Sequence, residues 1–476
     1  RNFTFMKTSI KTLMLVLFVV VLSSKGFAEG TPTVSPNATA ITSLLSAPDL
    51  VSGPYYGAAE DNRLKFYISD NANENLYFGF DFRNYVVGAT TRQTNVYWRI
   101  LNPSNVVVAS GNWNSALGSA GSIDTHARAL VGPNIGGITT GYTPLVFNPV
   151  VNGEFYMEIY RSNDGGITPD NSAATGRIHA PFFDLTVADN FGAFTKHNGR
   201  VYSDRWSFYA CDPANFGNVA TANSEPNLYA YTPDQCVFLI DFRSGLQPIA
   251  YNASANSYGV STAGTWDVTR RSVNSAVGPT LLNGYRIFLN NPDSGPFPVS
   301  PTPASPTFRT PAVTGCGPYT FNYVAPEAGD IQLLLDLNGT AGYQAGTADV
   351  VLEDLGVLAG NNDVTWNGLN GLGAPVPSGT SLNLGLTFLK GRFNLPLFDA
   401  EMNKNGIGVA LVSPVASATT RLFWDDSLLV NVGATCAAAG DANNNLTGAG
   451  INNALAGTNS PAHAWSGNGN SGQTIP

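Results

Sequence analysis

The chain has 476 residues, a net charge of −9 and a sequence pI near 4.9, and only 12% of its residues are charged. Past residue 28 four lysines remain, Lys65, Lys196, Lys390 and Lys404, which excludes the clustered cations that nucleic acid or an anionic membrane surface would require. Glycine (50) and proline (30) together fill a sixth of the chain, so the surface is wetted by Asn, Ser, Thr and backbone more than by ions.

Residues 1–28 read as upstream residues followed by a secretory signal peptide. Arg1–Phe5 precede a plausible initiator, Met6. Lys7 and Lys11 form a positive start, Leu13–Leu22 is an unbroken apolar run, and Gly26-Phe27-Ala28 is a small-x-small cleavage site. The apolar run is about half the ~20 residues that a membrane-spanning helix needs. The expectation is an exported, extracellular or cell-surface chain that begins near Glu29 and carries no membrane-spanning segment after maturation.

A Thr/Ser/Pro-rich leader covers 29–50. Beyond it, short apolar alternations closed by Gly, Asn, Asp or Pro predict half-buried strands. Leu76, Phe78, Phe80 and Phe82 alternate with Tyr77, Gly79 and Asp81; Val96, Trp98 and Ile100 form a second set, and Phe155, Met157 and Ile159 a third. Cys236, Phe238, Ile240 and Phe242, then Leu333 and Leu335, continue the pattern. The predicted fold class is all-β, built of tandem antiparallel β-sandwiches, the last one Ig-like. The predicted domains are a β-sandwich over 51–190, a second over 191–298, a Pro-rich linker over 299–311, an Ig-like sandwich over 312–438, and an Asn/Gly-rich tail over 439–476. The prolines within Gly295–Pro311 fix an extended spacer. The tail cannot order itself alone and reads as the start of a further region.

Four cysteines, Cys211, Cys236, Cys316 and Cys436, all follow the cleavage site and are expected to oxidise to disulfides. Of three pairings, Cys211–Cys236 and Cys316–Cys436 keep each bridge within one predicted domain. The absence of a Cys-x-x-Cys spacing and of nearby histidine speaks against a metal.

Catalytic signatures are sparse. His126, His179, His197 and His463 are isolated in sequence and read as surface or loop residues. Gly469-Asn470-Ser471-Gly472 lacks the closing glycine of a nucleophile loop. In Glu353-Asp354 and Asp425-Asp426 the two acids are adjacent, and neighbours on a strand face opposite ways, so neither pair converges on a sugar. No cofactor is expected. The one alternative is calcium near Asp336 and Asn338, where Asp336-Leu337-Asn338-Gly339 with Asp349 resembles the start of an oxygen-rich loop but lacks its final bidentate acid. Tyr55-Tyr56 and Tyr229–Tyr231 fall in Pro/Asn-rich stretches, read as loops, and could stack on sugar rings, loop packing being the plainer reading.

In Asn362-Asp363-Val364-Thr365-Trp366-Asn367-Gly368, with Gly371–Gly379 after it, a strand ends on Trp366 as core anchor, a Gly/Asn-rich hairpin turn follows, and a strand over Ser381–Phe388 comes next. This resembles the tryptophan–glycine turn of the small Ig-like domains of bacterial hook-capping proteins, with Asn367 and Thr380 departing from the usual spelling. Four longer phrases, His179–Val187, Gly199–Trp206, Phe288–Asp293 and Leu397–Gly406, are similar to the N-terminal regions of large secreted Bacteroidota surface proteins, the gliding-motility-associated and adhesin-like group. The resemblance implies a chain of β-domains sorted by type IX secretion. The expected function is that of a non-catalytic, adhesin-like extracellular protein involved in attachment or gliding, not an enzyme, whose partner is a surface glycan or other extracellular ligand. The alternative is a carbohydrate-binding or polysaccharide-degrading secreted protein.

Overall fold

The computed structural model describes residues 28–84, 91–210, 224–243, 246, 248, 250–261, 272–274, 284–302, 304–341, 343, 347–400, 403, 405–416 and 422, and the backbone of 473–475. Contacts divide the chain into two units. The first runs to Ser203 and takes in Leu289–Asp293; the second starts at Asp204 and resumes at Ser294.

The first unit holds β1 (Ser43–Ser46), β2 (Leu64–Ile68), β3 (Glu74–Asn84), β4 (Val96–Leu101), β5 (Val107–Asn112), β6 (Leu145–Phe147), β7 (Gly153–Arg161), β8 (Ile178–Asp189) and β9 (Val201–Ser203). One antiparallel set runs β1-β8-β3-β6 and the other β9-β2-β7-β4-β5. The expected alternations drive the two sets together. Phe66 stacks on Phe155 at 5.5 Å and meets Phe147 of the opposite set edge-on at 6.3 Å, while Phe78 meets Trp98 edge-on at 5.0 Å. Such pairs add about 0.5–1.5 kcal/mol each beyond burial of area.

Strand β3 departs from the half-buried expectation, because Tyr77 and Asp81 on its second face are buried as well. A further layer covers that face. Ile123, Ala129 and Tyr142 pack with Phe182, and Ile135 packs with Tyr77 and Ala188. The Tyr142 ring occupies the space over Gly79 so closely that a Cβ there would lie 2.4 Å from it. Alternation in β3 therefore reports two different covered faces rather than one wet and one dry.

The second unit contains β10 (Arg205–Tyr209), β11 (Asn227–Tyr231), β12 (Val237–Asp241), β13 (Ala250–Ser254), β14 (Val273–Asn274) and β15 (Arg286–Phe288). Next come β16 (Thr307–Thr314), β17 (Tyr319–Ala325), β18 (Gly329–Asp336), β19 (Val350–Val357), β20 (Gly360–Trp366) and β21 (Asn383–Leu389). The chain closes with β22 (Leu397–Phe398), β23 (Gly408–Ser413) and β24 (Gln473–Ile475). Strands β16 to β21 form a small sandwich of two three-stranded sheets, β16-β17-β20 and β19-β18-β21, around Phe321, Leu333, Leu335 and Trp366. This small sandwich ends at Leu389, and Trp366 lies in its core.

Four features differ from the domain boundaries and connections read off the sequence, beginning with residues 307–311, expected in the linker but part of β16. The first unit does not stop at 190 but continues through β9. Strand β21, expected to follow a hairpin, lies in the sheet opposite β20, so the Gly/Asn-rich segment carries the chain across the sandwich. Strands β22 and β23, expected in the third domain, pair instead with β13 and β12. The small sandwich is therefore an insertion. Its physical reason lies in β12, whose backbone N–H and C=O groups on one side would be left unpaired at an open sheet edge without β23. Among the described residues no helix is long and apolar enough to cross a membrane.

Candidate functional site

The densest polar chemistry of the first unit gathers where the leader enters the fold. Thr31 holds the strand β8 backbone twice: its hydroxyl donates to the Phe183 carbonyl at 3.1 Å and accepts from the Phe183 N–H at 2.8 Å. The Leu185 N–H donates to the Glu29 carbonyl at 2.9 Å. The Glu29 carboxyl, 1% exposed, accepts from the Gly199 N–H at 2.8 Å, from the Arg200 N–H at 3.1 Å and from Asn290 Nδ2 at 3.4 Å. Burial pushes that carboxyl up to about 8, overcoming the opposing hydrogen bonds of Arg200, Gly199 and Asn290.

Asp184, fully buried, receives the Tyr142 hydroxyl on Oδ2 and the Thr186 hydroxyl on Oδ1, both at 2.8 Å. Burial pushes it up to about 6, against hydrogen bonds from Thr186, Tyr142 and the Glu29 main-chain N–H and the charge of Lys196. Burial lowers Lys196 in turn, with Asp184 opposing, and its ammonium donates to the Val131 carbonyl at 3.3 Å. Gly132 is what lets these groups meet. At φ +86° a Cβ would lie 2.9 Å from the Ala28 methyl, 3.1 Å from Lys196 Nζ and 3.6 Å from Asp184 Oδ2. Gly199 is equally constrained, since a Cβ would stand 2.1 Å from the Asn291 carbonyl oxygen.

Arg200 closes the floor of this cradle. Its guanidinium donates to Asp293 Oδ2 and Ser69 Oγ, each at 2.8 Å, and to Glu74 Oε2 at 3.5 Å. Residues from three of the four phrases that carry the surface-protein resemblance, His179–Val187, Gly199–Trp206 and Phe288–Asp293, thus meet around Glu29. Sequence reading missed this convergence, because no motif links a leader residue to partners more than 150 positions away.

A second cluster joins Tyr56 to β4 and β7. The Arg99 guanidinium lies over the Tyr56 ring, 3.5 Å from its centroid, and pairs with Glu158, whose other oxygen accepts the Gly57 N–H at 3.1 Å. Tyr56 meets Tyr160 edge-on at 5.1 Å and Tyr97 stacks on Tyr160 at 6.0 Å. Tyr55, Tyr56, Tyr97 and Arg99 keep partial exposure, so apolar ring faces stand beside a cation and an acid. Tyr229 and Tyr231 are not loop residues as expected. They lie on β11, with Tyr231 packed edge-on against Phe288 and Phe297 and its hydroxyl donating to the Pro298 carbonyl at 2.6 Å.

The remaining candidates resolve into structural roles. Both described cysteines are free thiols rather than bridged: Cys236 is buried just before β12, where burial pushes its thiol up to about 12, and Cys316 is exposed between β16 and β17. Their expected partners, Cys211 and Cys436, lie outside the described residues, as do His463, Asp425-Asp426 and Gly469–Gly472. His179, expected on the surface or in a loop, is instead fully buried on β8 opposite Arg83; burial and then the Arg83 charge hold it neutral, down to about 3. His126 Nε2 bonds the Ser35 carbonyl at 2.7 Å and His197 Nε2 bonds Asp189 at 2.8 Å. Glu353 pairs with Arg392 at 2.9 Å while Asp354 accepts the Tyr323 hydroxyl, so the adjacent acids serve separate partners.

Near Asp336 the oxygens are already engaged. Asp336 Oδ1 accepts the Gly339 N–H and Asp349 Oδ1 the Leu337 N–H, both at 2.9 Å, while Asn338 Nδ2 donates to Asp349 Oδ2 at 2.8 Å. These donors fit an Asx-closed turn better than a cation. Among the described residues no group of three or more His, Cys, Asp or Glu could hold a metal ion.

Fold and sites together define an all-β protein of antiparallel sandwiches with one small sandwich inserted. The chain matches no known family, no curated protein and no solved structure.

Proposed function

We propose that the chain is a non-catalytic, adhesin-like protein of the cell exterior, exported through its N-terminal signal and acting in surface attachment or gliding by presenting rigid β-sandwiches to an extracellular ligand. The observation that carries this reading is the course of the leader: the segment directly after the expected cleavage point is built into the first sandwich, with Glu29 and Thr31 buried in hydrogen bonds to β8 and Gly199–Arg200. A cut at that point would yield a chain that starts inside its own fold. The ion-poor composition supports the same compartment. Cell fractionation with N-terminal sequencing tests it; a protein retained in the cytoplasm with residues 1–28 intact overturns it.

The partly exposed Tyr56, Tyr97 and Arg99 favour a second reading, carbohydrate binding, because pyranose rings stack on aromatic rings while a guanidinium donates to their hydroxyls. A glycan array on the chain from Glu29 onward, with Tyr97→Ala and Arg99→Ala beside it, tests binding. A reducing-sugar assay on the same samples decides between binding and cleavage, and measurable turnover sinks the non-catalytic reading.

A further inference from the structure

The cradle around Asp184 contains two fully buried carboxyl groups, Glu29 and Asp184, and one ammonium, Lys196. Arg200 does not balance the second acid, because its guanidinium is engaged by Asp293, Ser69 and Glu74. Tyr142 and Thr186 supply neutral donors only. An uncompensated buried carboxyl either costs several kcal/mol or takes up a proton. The missing cation has an available source. Glu29 is held beside Asp184 on both sides: Gly30 bridges Asp184, the Leu185 N–H donates to the Glu29 carbonyl at 2.9 Å, and a Cβ on Gly132 would touch both the Ala28 methyl, at 2.9 Å, and Asp184 Oδ2, at 3.6 Å.

We propose that removal of the signal peptide completes this fold: hydrolysis of the Ala28–Glu29 bond leaves the Glu29 α-ammonium sealed against the Asp184 carboxylate as a buried ion pair. Water adds its hydroxyl to the Ala28 carbonyl carbon, the peptide C–N bond breaks, and the released nitrogen is protonated. Two acids then face two cations. Ala28 is wholly buried in the uncut arrangement, so the cut precedes folding, and the loss of its methyl opens the space beside Gly132 that a third N–H of the new terminus can use. The inference rests on the export reading above. It adds that processing is a stability switch, with the uncut chain the weaker folder.

The test compares four chains: one starting at Glu29, one keeping Ala28 behind an acetylated N-terminus, and each of these carrying Asp184→Asn. The expected result is a melting temperature at least about 5 °C higher for the Glu29 terminus, the gap closing in Asp184→Asn. Equal melting temperatures, or a gap unchanged by Asp184→Asn, overturn the ion pair. Should Asp184→Asn fail to fold, reductive methylation of the native Glu29 chain decides. The α-amine is expected to react at least about tenfold more slowly than in urea, and an equal rate, or a terminal pyroglutamate, overturns the proposal. Mass analysis of the exported protein separates the two readings. A terminus elsewhere than Glu29 defeats the processing reading itself, whereas a Glu29 terminus with no stability gap defeats only the pair.

Discussion

The indole Nε1 of Trp366 donates to the Leu369 carbonyl at 2.8 Å, so the residue that fills the small sandwich also fastens the segment that leaves its sheet. Its ring lies against Tyr319 at 5.3 Å and Phe321 at 6.2 Å. Trp366→Phe keeps most of the volume but loses the hydrogen bond, at a cost of about 1–2 kcal/mol. Trp366→Ala also leaves a cavity and should cost about 3–5 kcal/mol. Urea unfolding of both variants measures the order; equal midpoints for the two would contradict it.

Burial of His179 predicts acid sensitivity. The unfolded imidazole binds a proton near 6.5 and the folded one only near 3, so the unfolded state holds the extra proton between those values. Stability is full above about pH 6.5 and falls as pH drops toward 3, by roughly 3–5 kcal/mol. His179→Leu should flatten this limb. Denaturant midpoints at pH 7.5, 5.5 and 4 provide the check.

Glu29 predicts the opposite slope in a chain whose nitrogen is blocked. Its carboxyl titrates at 4.5 in the reference state and at about 8 when folded, so the folded state holds the extra proton in that window. Stability falls as pH rises from 4.5 through 8 and levels off above it. Glu29→Gln removes the slope, which thermal melts of the acetylated chain across that range would reveal. A slope unchanged by the substitution counts against the assignment.

Strand β23 covers the edge of β12, pairing Phe238 with Leu411 and Ile240 with Val409. A chain ending at Leu389 keeps the whole small sandwich yet uncovers that edge. It should associate through β12, and light scattering should find oligomers where the full chain is smaller. A monodisperse monomer would refute the closing role of β23.

Thiol chemistry should separate the two described cysteines once the protein is reduced. Exposed Cys316 should label at once, while Cys236, buried and with its thiol pushed up to about 12, should label only on unfolding. Timed alkylation with mass mapping reads both sites.

Much of the local structure was legible in the residues. Phe78 and Phe80, Phe155 and Met157, and Leu333 and Leu335 announced strands because a period of two is the mark of a pleated chain with a buried face. Trp366 announced its core because a large ring before a Gly/Asn turn has few other uses. The cover over Gly79 was not legible, since Tyr142 is remote in sequence and a second buried face leaves the same alternation. Nor was the burial of His179, whose neighbours Ala180 and Pro181 carry no period.

The sequence by itself determined an all-β chain and the strands whose apolar residues alternate, because these depend on contacts a few positions apart. Only the tertiary structure decided that the small sandwich is an insertion, that β22 and β23 return to β13 and β12, and that Glu29 meets Leu185, Gly199 and Asn290. Those pairings join residues about 150 or more positions apart. Which edge or buried charge a segment covers depends on what the rest of the chain leaves open, and no local pattern records that.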